Sequence, residues 1–213
     1  MSKKDLLSKI HLYVIADKKT CGNRDIEDVV SRSIEGGAEM IQYRDKESDD
    51  DSFLETALKL QAVCKSENIP FIVNDRIEIA LRIDADGVHV GQEDMFLSEV
   101  RRKLSPEKII GVSATSIQQA KEAEGNGADY IGIGPIFATL SKEIKEPVGL
   151  GMVREARVRL KIPFYTIGGI SLSNIDSLIQ AGARRIAVIS AIILSDDIKS
   201  ATAKLLEKLK SST

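Results

Sequence analysis

Apolar runs of strand length alternate with amphipathic stretches along the whole chain. The runs His11–Ala16, Ala38–Tyr43, Pro70–Val73, Gly87–Val90, Lys108–Val112, Tyr130–Gly132, Pro163–Thr166 and Arg185–Val188 are short and rich in Ile and Val. They lack the polar alternation of a half-solvated strand, so each predicts a strand buried on both faces. Between them, Ile26–Glu35, Asp51–Glu67, Ile117–Asn126 and Asn174–Ala181 carry helical periodicity. In the last of these, Ile175, Leu178 and Ile179 share one face, with Ser173 or Asn174 placed to cap it.

Eight β–α units in series predict a parallel sheet with right-handed crossovers. Closure of that sheet gives a single-domain (β/α)8 TIM barrel over residues 1–213. An open doubly wound sheet is the alternative, because periodicity does not decide closure; eight strands in this length favour the barrel. Glu-Gly-Gly-Ala (35–38), Gly-Asn-Gly-Ala-Asp (125–129) and Gln-Ala-Gly-Ala (180–183) each end a helix before a strand. Glycine supplies the left-handed cap of a tight turn there. Those turns belong to the bottom of the barrel, and ligand sites are expected at the opposite, C-terminal ends of the strands.

Composition narrows the function class. A formal charge of −2 offers no basic field for nucleic acid or an anionic membrane, so neither is expected as a partner. No stretch approaches the roughly 20 apolar residues of a membrane span, and Met1 to Lys9 has no signal-peptide apolar core. Cys21 and Cys64 are too few for a disulfide framework or a metal cluster, and free thiols suit a reducing cytoplasm. The expectation is a cytoplasmic enzyme acting on small molecules, with a binding module as the other class.

The polar residues at the predicted strand ends then become the test. After strand two, alternation along Gln-Tyr-Arg-Asp-Lys puts Gln42, Arg44 and Lys46 on one side, with Tyr43 and Asp45 on the other. Asn74 and Asp75 follow strand three, and Gly91-Gln92-Glu93-Asp94 follows strand four. Each aspartate alone reads as well as a helix cap; two carboxylates over neighbouring strands suit Mg2+, which takes one or two of them and completes its shell with phosphate and water. His89 reads as a packed strand-end residue rather than a metal ligand, since the second histidine, His11, stands at the start of strand one. Ser113, after strand five, is a helix cap or a phosphate hydroxyl in equal measure. The loop from Gly134 to about Pro147 is long, which points to function, and it carries Thr139, Ser141 and Lys142. Gly168-Gly169 after strand seven and Ile189-Ser190 after strand eight fit the recurrent phosphate site of this fold. No lysine stands in the middle of a predicted strand, which argues against a Schiff-base aldolase. Walker-type, dinucleotide-binding and nucleophile-elbow motifs are also absent.

Taken in order, Leu12–Ile15, Gln42–Lys46, Val73–Asp75, His89–Asp94, Gly111–Ser113, Gly134–Lys142, Ile167–Ile170 and Val188–Ile192 resemble the thiamine phosphate synthase family over nearly the whole chain. The resemblance implies a Mg2+-dependent transferase of an alkyl group other than methyl. It would join a pyrimidine diphosphate to a thiazole phosphate through a pyrimidine-methyl cation. It assigns Gln42, Arg44, Lys46, Asn74, Ser113 and Lys142 to the pyrimidine diphosphate, with Lys142, Ser113 and Arg44 acting in catalysis. Asp75 and Asp94 would hold Mg2+, and Thr139, Ser141, Gly169, Ile189 and Ser190 the thiazole phosphate. It further implies a homo-oligomer, although no segment identifies an interface. Three departures stand out: Asp45 where the family has Glu, Ala138 and Ser141 in a Pro-Thr-x-Thr-Lys motif, and no histidine in segment 113–116. The competing readings are a thiazole tautomerase, a non-catalytic sensor and a phosphosugar isomerase. The Asp75 and Asp94 pair with the Gln42-Arg44-Lys46 series favours the synthase over the tautomerase, and Lys142 with both aspartates argues against the sensor. An isomerase could recruit the same two aspartates, but the motif series as a whole argues against it.

Overall fold

A computed structural model describes residues 3–92, 97–138 and 146–211. Eight strands follow one another as β1 (Leu12–Asp17), β2 (Met40–Arg44), β3 (Phe71–Asn74), β4 (Gly87–Val90), β5 (Ile109–Ala114), β6 (Tyr130–Ile133), β7 (Phe164–Ile167) and β8 (Ile186–Val188). Each pairs in parallel with the next, and β1 also pairs with β8 through Leu12–Ile186, Tyr13–Ala187 and Val14–Val188. The sheet is therefore a closed barrel and not an open one. Every predicted strand is present, displaced by one or two residues toward its C-terminal end in most cases.

The helices form where an acidic cap meets an apolar stripe. In α3 (Ile26–Glu35), Asp25 accepts the Glu27 N–H, and Ile26, Val29, Val30 and Ser33 turn inward. In α4 (Asp50–Ser66), Asp49 accepts the Ser52 N–H at 2.9 Å, and Phe53, Ala57, Leu60 and Cys64 form one buried line at helical spacing. Truncating Phe53 to Ala would cost about 3–5 kcal/mol by transfer and cavity terms together. The glycines that follow helices do what their position predicts: Gly37, Gly127 and Gly182 have φ of +98°, +95° and +101°.

Two short helices near the N-terminus lie outside the stretches read as helical from the sequence. The short α1 (Lys3–Lys9) closes the bottom of the barrel: Leu7 is fully buried, and its carbonyl accepts the Tyr165 hydroxyl and the Arg185 Nε–H, both at 3.2 Å. The four-residue α2 (Lys18–Cys21) follows β1 and is capped by Asp17. Among the described residues no helix is long and apolar enough to cross a membrane.

The bottom rim has a repeated device. The residue just before β2, β4 and β6 is acidic, and its carboxylate takes a backbone N–H that opens the preceding strand. Glu39 accepts from His11 at 2.6 Å and Leu12 at 3.2 Å, Asp86 from Phe71 at 2.9 Å, and Asp129 from Ile110 at 2.8 Å. Strand ends that would otherwise leave donors unpaired are closed by side chains.

Candidate active site

Strand alternation sends Tyr13, Gln42, Asn74, His89, Ser113, Tyr130, Tyr165 and Ala187 toward the barrel axis, one from each strand. With Ile15, Arg44, Gly132, Ile167 and Ile189 they line one cavity at the C-terminal mouth. Four of the residues expected at the pyrimidine diphosphate, Gln42, Arg44, Asn74 and Ser113, thus come together from β2, β3 and β5. Gln42 is 1% exposed and Asn74 9%, so both are held at the floor and wall, not waved from a loop.

Alternation does not extend to Lys46. It stands two residues beyond the end of β2, 61% exposed, with Nζ 3.5 Å from the Asp75 carboxylate rather than lining the cavity. Strand geometry stops at Arg44, and the chain turns because Asp45 gathers it. The Asp45 carboxylate accepts the Ser48 hydroxyl at 2.6 Å and the N–H groups of Glu47 and Ser48 at 3.0 and 3.1 Å. Burial would raise the Asp45 carboxyl, yet the Ser48 and Glu47 donors together hold it below its ordinary range. Asp45 is a loop former, which its outward position already implied. Arg44 itself is clamped by the buried Asp17 carboxylate, which also accepts the Thr20 hydroxyl at 2.7 Å.

Asp75 departs from the expectation of a helix cap. The cap position of the following helix α5 (Ile77–Arg82) is Arg76, without a side-chain cap bond. Asp75 instead has φ +59°, a left-handed backbone rare outside glycine, fixed by its N–H on the His89 carbonyl at 2.9 Å. The other non-glycine residues of this kind, Asn68 and Asp84, end helices at the bottom. Asp75 alone among them follows the C-terminal end of a strand, next to the cavity-lining Asn74, with a carboxylate 26% exposed. A hard oxygen donor in that place fits Mg2+, which needs only one or two protein carboxylates. Its expected companion, Asp94, lies outside the described residues, as do Thr139, Ser141 and Lys142. Among the described residues no group of three or more His, Cys, Asp and Glu side chains forms a metal cluster.

Ser113 is likewise not a cap: Ser116 caps α7 (Ile117–Gly125), accepting the Gln119 N–H, while Ser113 sits within β5. Its hydroxyl lies 2.9 Å from His89 Nε2. Neither thiol is poised as a nucleophile. Burial pushes Cys21 up to about 11 and Cys64 up to about 12.

A second recess adjoins the first, sharing Ile167, Ala187 and Ile189 with it and adding Gly168, Gly169, Ile170, Val188 and Ser190. It brings together three residues expected at the thiazole phosphate: Gly169, Ile189 and Ser190. Ser190 opens the four-residue α10 (Ser190–Ile193), and Gly168 and Gly169 have φ of +98° and +64°. A Cβ on Gly169 would stand 2.4 Å from the Ala138 carbonyl, so glycine lets the β6 loop pass directly over β7. Asn174, expected to cap α9 (Ile175–Gln180), turns back instead: its Nδ2 donates to the Gly169 carbonyl at 2.7 Å and its Oδ1 accepts the Ser171 N–H. It braces the glycine turn.

The sequence reading missed the three tyrosines, His89 as a site residue and Asp17. A tyrosine in an apolar strand reads as core, and all three are at most 1% exposed. The available signal was glycine inside a strand: a Cβ on Gly111 would collide with the Tyr130 ring at 2.0 Å, and one on Gly132 would stand 3.1 Å from His89 Cε1.

Comparison with known proteins adds an independent line. The family model described as thiamine monophosphate synthase matches residues 12–192. Thiamine-phosphate synthase of Shouchella clausii is 45% identical over 205 residues, 96% of this chain and 98% of that protein. That of Halalkalibacterium halodurans is 46% identical over 189 residues, covering 88% and 90% of the two chains. Among solved structures, a thiamine phosphate pyrophosphorylase from Pyrococcus furiosus superposes with a TM-score of 0.87 at 36% identity, covering 97% of this chain and 98% of that one. A 3-hexulose-6-phosphate synthase shares the fold alone, at 19% identity and a TM-score of 0.67 over 92% and 98% of the chains.

Proposed function

Because the chain belongs to the thiamine monophosphate synthase family, we propose that its barrel mouth joins a pyrimidine-methyl diphosphate to a thiazole phosphate, forming thiamine phosphate and releasing diphosphate. It is a transferase of thiamine biosynthesis. The observation that carries the assignment of parts is that two recesses adjoin through Ile167, Ala187 and Ile189. One is lined by fixed polar side chains and the other by glycine backbone. That is what two different substrates meeting at a single new bond require.

In this reading the polar recess takes the pyrimidine diphosphate. Gln42 and Asn74 orient the ring, Arg44 faces the diphosphate, Lys46 reaches it from the loop beyond β2 beside Asp75, and Ser113 supplies a hydroxyl. Lys142 would supply a cation to the leaving group. Asp75 and Asp94 would hold Mg2+, which when bound would neutralise charge on the leaving diphosphate. The C–O bond breaks first, and the ring's own amino group donates electrons to the resulting pyrimidine-methyl cation, so no protein nucleophile is needed. The buried thiols agree with that route.

The glycine recess takes the thiazole phosphate: Gly169, Ile189 and Ser190 offer backbone and hydroxyl donors to its phosphate, joined by Thr139 and Ser141. Holding that phosphate fixes the thiazole nitrogen in line with the cation, and the apolar wall of Ile15, Ile167 and Ile189 keeps water from trapping it. A thiazole tautomerase would leave Gln42, Arg44 and Asn74 without a task. The cytoplasm, where thiols stay reduced, is the compartment this reading assigns.

The test is product formation. Purified protein with both substrates and Mg2+ should yield thiamine phosphate and diphosphate in equal amounts, with neither formed when excess EDTA is present. A folded protein that makes no product, or makes it undiminished in EDTA, overturns the proposal.

A further inference from the structure

Beneath the cavity runs a chain of hydrogen bonds that crosses the barrel. Gln42 Nε2 donates to the Tyr13 hydroxyl; Tyr13 and Tyr130 hydroxyls are 2.9 Å apart; Tyr130 Oη is 2.9 Å from His89 Nδ1; and His89 Nε2 is 2.9 Å from Ser113 Oγ. Five groups from β2, β1, β6, β4 and β5 are thus linked in a line. Its two ends, Gln42 and Ser113, are residues expected to touch the pyrimidine diphosphate. Its three middle members have no task in the reaction as set out above.

The line has a direction. Each phenol carries one proton, and burial pushes both Tyr13 and Tyr130 far above the ordinary tyrosine range, so both stay protonated. With the Gln42 amide donating to Tyr13, the Tyr13 proton goes to Tyr130, because a buried hydroxyl that only accepts would strand its own hydrogen. Tyr130 then donates to His89 Nδ1. A neutral imidazole that accepts at Nδ1 carries its proton on Nε2 and donates it to Ser113. Ser113, already an acceptor, is left with its own O–H to give to a ligand. Turning the Gln42 amide over would reverse every bond and make Ser113 spend its proton on His89.

We propose that Tyr13, Tyr130 and His89 are positioning residues: they transmit the orientation of the Gln42 amide to Ser113, so that Gln42 offers Oε1 as an acceptor to the aminopyrimidine while Ser113 offers a donor to an acceptor atom of the same substrate. Recognition of one ligand at two points 71 residues apart in sequence is thereby set by a single network. The inference rests on the synthase reading only for the identity of that ligand; the proton arrangement is a property of the free protein.

The glycines support it. Gly111 gives the Tyr130 ring its passage and Gly132 faces the His89 ring at a distance that side chains would crowd. The rings also hold one another edge to face, Tyr13 against Tyr130 at 5.8 Å and Tyr130 against Tyr165 at 5.3 Å, so the hydroxyls are fixed in place without help from the ligand. Loss of one phenolic oxygen should therefore leave the packing standing.

The experiment is the imidazole tautomer, read from long-range nitrogen–proton correlation spectra of nitrogen-labelled protein. The chain has two histidines, and His11→Gln removes the other, so His89 is assigned directly. Wild-type protein above neutral pH should show His89 protonated at Nε2 with a hydrogen-bonded Nδ1. Tyr130→Phe and Tyr13→Phe should each convert it to a mixture, and raise KM for the pyrimidine diphosphate about tenfold with a smaller change in kcat. Tyr165→Phe, whose hydroxyl goes to Leu7 instead, should leave the His89 spectrum unchanged. A wild-type His89 protonated at Nδ1 or at both nitrogens overturns the proposal, whether or not the variants fold. An unaltered tautomer in folded Tyr130→Phe does so as well. Neither result touches the synthase reading, which depends on product formation.

Discussion

The same side chain does opposite work at the two ends of this barrel. At the bottom, Glu39, Asp86 and Asp129 stand just before a strand and spend their charge on the N–H groups that open the strand beside it. At the top, Asp75 stands just after a strand, in a left-handed backbone, with its carboxylate partly exposed beside Lys46. The bottom carboxylates satisfy donors that open neighbouring strands, whereas the top one follows a strand's C-terminal end in a left-handed backbone. A carboxylate's role here follows from which end of a strand it occupies, because the closed parallel barrel gives all strand starts to one face and all strand ends to the other.

Breaking the top should cost activity and spare the fold. Asp75→Asn keeps a residue type that tolerates the left-handed region, so thermal stability should hold within about 1 kcal/mol. kcat/KM for thiamine phosphate formation should nevertheless fall about a hundredfold or more in steady-state assays. A smaller effect is expected across the mouth. Gly169→Ala puts a Cβ against the Ala138 carbonyl at a φ of +64° and should raise KM for the thiazole phosphate about tenfold, leaving that for the pyrimidine diphosphate unmoved.

Breaking the bottom should do the reverse. Asp129→Ala leaves the Ile110 N–H and the Arg101 guanidinium without their carboxylate, which costs about 1–3 kcal/mol and about 2–4 °C in Tm per kcal/mol. Specific activity of the folded fraction should stay at the wild-type level. The smallest effect is a pH dependence. Burial works to raise the Glu39 carboxyl, but Lys210 and the N–H groups of His11 and Leu12 outweigh it and hold the group below its ordinary range. A depressed folded-state value means that this stabilisation is present above the unfolded carboxylate range, about pH 4.3, and is lost as pH falls through the folded value. Urea midpoints should therefore separate wild type from Glu39→Gln at neutral pH and converge on acidification.

This contrast also explains what the sequence made legible. Strands and the glycine turns at 37, 127 and 182 follow local rules, and local rules are written in neighbouring residues. Gln42 and Arg44 were assigned to the cavity by alternation, which holds as long as the strand lasts and failed for Lys46 two residues beyond it. Ser113 reads equally as a cap or a phosphate hydroxyl, and Asn174 as one of two caps, because a hydroxyl or amide near a helix start has the same local signature whichever way it turns. Ser116 takes the cap, and Asn174 bonds back to Gly169. The tyrosine–histidine line was illegible for a different reason: Tyr13 and Tyr130 are 117 positions apart and meet only when the barrel closes.

The most direct measurement of the central claim is the rate of thiamine phosphate formation as a function of Mg2+ concentration, taken side by side for wild type, Asp75→Asn and Asp129→Ala. If the top carboxylate serves the metal and the bottom one the fold, Asp129→Ala will superimpose on wild type. Asp75→Asn will then need far more Mg2+ or never reach a measurable rate. An Asp75→Asn profile identical to wild type, or an equal displacement in both variants, would contradict the account.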